Sequence, residues 1–141
     1  MIVYVVYLMA LLVCGLAYWK GDGVLRLTAV VLIASWTLTP MVMHLDRRGL
    51  NLPVAVIDIV TTAIFVWISM WSRRVWCAVL SALAIILIVI RFVASVDHGI
   101  DNYSRAASNN VVTILQLVVM VAATGLAVRA RRRADEGAVR S

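Results

Sequence analysis

The sequence predicts an all-α integral membrane bundle of about five transmembrane helices, N-terminus outside and C-terminus cytoplasmic. Three observations carry this. First, 64% of the 141 residues are apolar, against roughly 45–50% in soluble domains. Second, the apolar residues gather into five consecutive runs of roughly 18–22 residues, each able to cross ~30 Å of hydrocarbon as a helix. Third, the runs do not alternate apolar and polar residues, as strands of a membrane barrel do over ~10 residues.

Span 1 covers about 2–19. It reads as a retained span, because no basic stretch precedes it and Trp19-Lys20 follow where a cleavable leader would need small residues. Lys20-Gly21-Asp22-Gly23 make a tight turn. Span 2 covers about 24–45, with Arg26 in its first turn reaching for the headgroups. Asp46-Arg47-Arg48-Gly49 make the next turn, and span 3 covers about 50–71 with Pro53 tolerated in its first turn. After Ser72-Arg73-Arg74, span 4 covers about 75–95. A longer polar loop, 96–105, leads to span 5 over about 107–128. The spans form one domain, 1–128. Residues 129–141 are a basic cytoplasmic tail too short to fold alone.

Basic residues resist translocation and collect on the cytoplasmic side. Five spans put the first turn, the third turn and the tail on one side, with Lys20, Arg26, Arg73, Arg74, Arg129, Arg131, Arg132, Arg133 and Arg140. The other side holds Arg47, Arg48, Arg91 and Arg105. Nine against four sets the orientation, and Trp19, Trp71 and Trp76 fall at the same cytoplasmic ends, as an aromatic belt requires. The net charge of +6 is thus a topology signal and not a nucleic-acid footprint. The location that follows is the bacterial inner membrane.

Several polar residues inside the spans need a reason. Asp58 lies about 12 Å into span 3 by helical rise, where an ionised carboxylate costs ~2.5–3.5 kcal/mol or more. Thr61 and Thr62, three and four residues on, share its face and can hydrogen-bond it. Arg91, near the outer end of span 4, is its expected charged partner across the hairpin of spans 3 and 4. The pair reads either as a packing device or as a proton or ion relay. Span 5 carries a polar stripe, Asn109, Thr113, Gln116, Met120 and Thr124, at spacings that share one helical face. It reads as interhelical hydrogen bonding, within the chain or to another copy, or as the wall of a wet path. In span 2, Ser35 and Thr39 precede Pro40, which frees the carbonyl of Trp36 and could hinge the helix. The tail arginines 129, 131, 132 and 133 suit anionic lipid headgroups.

No metal, cofactor or catalysis is expected. His44, Asp46, Asp97, His98 and Asp101 gather on the outer side without a ligand motif and read as interfacial polar residues. Cys14 and Cys77 read as buried small apolar groups. There is no nucleotide loop, zinc pair or nucleophile elbow.

The Trp19-Lys20-Gly21 end of span 1, Asp58 in span 3 and Ser72-Arg73-Arg74-Val75-Trp76 resemble small, uncharacterised multi-span membrane proteins of proteobacteria and their prophages. The chain also looks like phage holins in being tiny, almost loopless and basic-tailed. These resemblances imply a membrane location and no particular activity. The expected function is a non-catalytic membrane protein that oligomerises or supports a membrane partner. The alternatives are a holin-like permeabiliser and a small proton-coupled transporter or channel using Asp58. The last needs a cavity, which a chain of this size is expected to build only as an oligomer.

Overall fold

The computed structural model describes residues 2–42, 52–97, 99 and 101–140. The expected turn at 46–49, His44 and His98 lie outside the described residues. Among the described residues five helices follow one another: α1 (Ile2–Lys20), α2 (Gly23–Val42), α3 (Leu52–Ser72), α4 (Val75–Val96) and α5 (Asn102–Arg140). There is no strand among the described residues. Helices α2 to α5 are each long and apolar enough to cross a membrane, while the apolar stretch described in α1, Tyr4–Lys20, is shorter.

The turns follow from local chemistry. The N–H of Gly21 donates to the carbonyl of Ala17 at 2.8 Å, closing α1. A side chain at this position would overlap that carbonyl oxygen and come within 2.8 Å of Leu25 Cδ2, so the close approach itself requires glycine. Asp22 then accepts the Leu25 N–H at 3.3 Å, satisfying one of the free donors at the start of α2. Between α3 and α4, Arg73 adopts a φ of 50° while its N–H donates to Ser69 at 3.1 Å. This is a left-handed helix cap carried by a non-glycine residue.

Helix α5 departs most from the sequence reading. It begins at Asn102, inside the expected loop, and runs 39 residues without a break to Arg140, about 58 Å at 1.5 Å per residue. The expected separate tail is therefore the exposed end of the last helix. Ala, Arg and Glu are strong helix formers, and no proline interrupts Arg129–Arg140. The Arg105 guanidinium donates to the carbonyl of Ala94, tying the early start of α5 to the last turns of α4.

The helices close into a ring, α1 against α2, α2 against α3, α3 against α4, α4 against α5, and α5 back against α1. Because successive helices reverse direction, α1 and α5 run parallel. The first turn, the third turn and the far end of α5 meet at one end of the ring. There Arg74 pairs with Asp22, and Arg131 Nη2 donates to the carbonyl of Gly21 at 3.1 Å. That half of the ring is filled by a buried apolar cluster: Cys14 and Ala17 of α1, Leu25, Ala29 and Leu32 of α2, Phe65, Leu80, Ala84, Met120 and Ala123. Ala10, Cys14 and Ala17 recur at spacings of four and three and are all buried, which lets the neighbouring helices approach α1 closely. The outside is the reverse of a soluble surface. Leu8, Leu12, Val56, Trp67, Ile86, Phe92, Val118 and Leu126 are all exposed, an apolar belt that water would not tolerate and a bilayer supplies.

Candidate functional site

In the other half of the ring the packing opens into a cavity of about 280 Å³. All five helices line it: Val6 and Tyr7 from α1, Ser35, Thr39 and Pro40 from α2, Asp58, Thr61 and Thr62 from α3, Leu87 and Arg91 from α4, and Asn109, Asn110, Thr113 and Gln116 from α5. Leu32, Phe65 and Ala84 belong both to its wall and to the apolar cluster. They are its floor. The result is a polar cup standing on an apolar plug.

Asp58 sits at the centre. It is 6% exposed, and its Oδ2 lies 2.5 Å from Arg91 Nε. The two atoms are not aligned for a hydrogen bond, and neither finds another partner among the described residues. The Coulombic contact thus leaves hydrogen-bonding capacity of both groups unused. The Arg91 side chain is 32% exposed, so the pair runs from a buried carboxylate to a half-open guanidinium.

The two threonines act differently from the sequence expectation. Thr62 Oγ1 donates at 2.7 Å to the backbone carbonyl of Asp58, not to its carboxylate. A helical threonine reaches the carbonyl four residues back more readily than a side chain pointing away from it. Thr61 lines the cavity without bonding Asp58.

Pro40 lies inside α2, which continues to Val42. Its missing N–H frees the carbonyl of Trp36, and the Tyr7 hydroxyl of α1 donates to that carbonyl. The carbonyl that the proline frees is thereby tied to the neighbouring helix α1.

The polar stripe of α5 faces inward from Asn109 to Met120, and Thr124 lies beyond the cavity at the α1–α5 seam. Asn109, Thr113 and Gln116 border the cavity, Met120 is fully buried, and Thr124 bonds its own helix at Met120 O, 2.8 Å away. Gln116 is only 4% exposed, borders the cavity, and its carboxamide has no hydrogen bond among the described residues. The structure brings Asp58, Arg91, Thr61, Thr62, Pro40, Asn109, Thr113 and Gln116 to one cavity. It leaves Thr124 and Arg129, Arg131, Arg132 and Arg133 at the far end of α5. It also corrects the expectation that only an oligomer could build a cavity, because ring closure by α5 on α1 encloses one within a single chain.

Tyr7 and Asn110 were not singled out in the sequence. Tyr7 is one of three tyrosines in span 1, with Tyr4 and Tyr18, and nothing in the sequence sets it apart from the other two. In the connection between α4 and α5, Asp97 accepts the Gly99 N–H at 2.9 Å, a local turn bond, and no metal-holding cluster occurs among the described residues.

No family model, curated protein or solved structure matches this chain. Function therefore rests on the cavity itself.

Proposed function

We propose that this chain is a small, non-catalytic protein of the bacterial inner membrane that admits protons or a small polar solute to a cavity centred on Asp58. The observation that carries the reading is that a buried acid and its arginine border a cavity of about 280 Å³ built within one chain. Ionisable residues inside membrane spans mark ion and proton paths by default. Here the incompletely satisfied pair and the unbonded Gln116 amide supply donors and acceptors for a guest. The apolar floor of Leu32, Phe65 and Ala84 makes the cup a site reached from one end, where passage onward requires the plug to move. On this reading the cup opens outward, since the basic end of the ring is cytoplasmic. Asn109, Thr113 and Gln116 of the α5 stripe border the same cavity, which supports a role for them inside the chain.

The test is a cysteine at position 113. In a background with Cys14→Ala and Cys77→Ala, Thr113→Cys should react with a membrane-impermeant thiol reagent added outside. It should stay unreactive when the reagent is inside. Absence of reaction from both sides would overturn the reading. In proteoliposomes, a dye-reported proton influx above the empty-vesicle level that disappears with Asp58→Asn identifies the guest as a proton. Access without influx removes the proton and leaves a small polar solute as the proposed guest.

A further inference from the structure

A second concavity lies at the opposite end of the molecule, on the outer side of the seam between α1 and α5. It measures about 360 Å³ and is lined by Val13, Leu16, Val121, Thr124, Gly125, Val128, Arg129 and Arg132. Its chemistry changes along its length. The part away from the arginines is an open apolar surface, with Leu16 and Val121 exposed and bare backbone at Gly125, where a Cβ would meet nothing within 4 Å. The mouth carries two arginines three residues apart on one face of α5. The depth of the mouth is fixed by the neighbouring Arg131, which donates to the carbonyl of Gly21 at the end of α1. The two arginines therefore stand level with the turn that ends α1, and the apolar part runs inward from there beside the first span.

We infer that this groove holds one phospholipid with an acidic headgroup, an acyl chain lying against Val13, Leu16, Val121 and Gly125 and the phosphate between Arg129 and Arg132. An open apolar groove edged by paired cations matches that ligand on both counts. Arginine forks bind phosphate oxygens bidentately, and the basic residues stand at the edge of the apolar belt, where headgroups lie. Thr124 faces the groove but donates its hydroxyl to Met120 O at 2.8 Å, so the apolar part offers no competing polar donor. The groove is separate from the polar cavity, and the inference does not depend on the proposal made for that cavity.

The experiment counts lipid retained by the full-length chain in native mass spectrometry, after exchange into micelles containing phosphatidylglycerol, phosphatidylcholine, or no lipid with inorganic phosphate. Wild type should retain one phosphatidylglycerol in clear preference to phosphatidylcholine and no free phosphate. Replacing both arginines, Arg129→Gln with Arg132→Gln, should reduce that preference by about thirtyfold, the change expected for two basic residues at an acidic lipid surface. Gly125→Leu points into open space, so it should leave the thermal transition in place while lowering retention of both lipids. Equal retention of the two lipids by wild type would overturn the inference. So would free phosphate binding as well as lipid, or unchanged preference in the arginine variant. The arginine variant changes only exposed positions on the extended end of α5, so its folding is not at issue.

Discussion

Asp58 and Arg91 hold each other in a place where neither charge is stable alone. Removing one partner of a buried ion pair leaves the other uncompensated, at a cost of ~3–5 kcal/mol. Because a third of the Arg91 side chain is exposed, the loss should fall near ~3 kcal/mol, the lower end of that range. Asp58→Asn and Arg91→Gln should each lower the thermal transition in detergent, and the double variant should lose less than their sum. Additive losses would remove the coupling. The pair was legible in the sequence because a charge inside an apolar run demands a partner, and the hairpin of spans 3 and 4 offered one. The role of Thr62 was not. Whether its hydroxyl meets a carboxylate or the backbone of the same residue is decided by a rotamer that spacing does not specify.

At the scale of the element, Pro40 and Tyr7 form a unit that joins α2 to α1. The hydroxyl of Tyr7 supplies to Trp36 the hydrogen bond that proline withholds. Tyr7→Phe should therefore destabilise the bundle by ~1 kcal/mol, the usual net worth of one hydrogen bond. In a Pro40→Ala background the N–H at position 40 returns to the Trp36 carbonyl, and the same Tyr7→Phe change should cost far less. Equal costs in the two backgrounds, read as shifts in the thermal transition, would mean that the contact does not serve the proline. The freed carbonyl could be read from the proline alone. Its donor could not, since it comes from 29 residues away and depends on how α1 is rotated about its axis. Helix α5 shows the converse limit. Its apolar run was evident, but a membrane-span reading stops where apolarity stops, whereas helix propensity continues through the basic segment to Arg140.

For the whole molecule, the closed ring separates a polar half from a basic, apolar-plugged half. The contacts of Arg74 with Asp22 and of Arg131 with Gly21 gather the basic segments at one end. Orientation in the bilayer then becomes a single yes-or-no question. A reporter active only in the cytoplasm should be active when fused after Ser141 and silent when inserted near Asn102. The reverse pattern would invert the proposed orientation, and equal signals at both sites would remove the odd number of crossings.

The sequence by itself determined the all-helical membrane class, the order of the helices and the approximate bounds of the first four, the clustering of basic residues and the inventory of polar groups within the spans. These are local properties, set by the cost of placing backbone and charge in hydrocarbon, which each segment meets on its own. Only the tertiary structure decided that α5 returns to α1, that the stripe of Asn109, Thr113 and Gln116 faces the same space as Asp58, and that a single chain encloses that space. Those outcomes depend on the rotation and packing of each helix against two neighbours. In lipid that choice is made by close-packed small residues such as Ala10, Cys14 and Ala17 and a few hydrogen bonds, not by hydrophobicity, which is satisfied on every face.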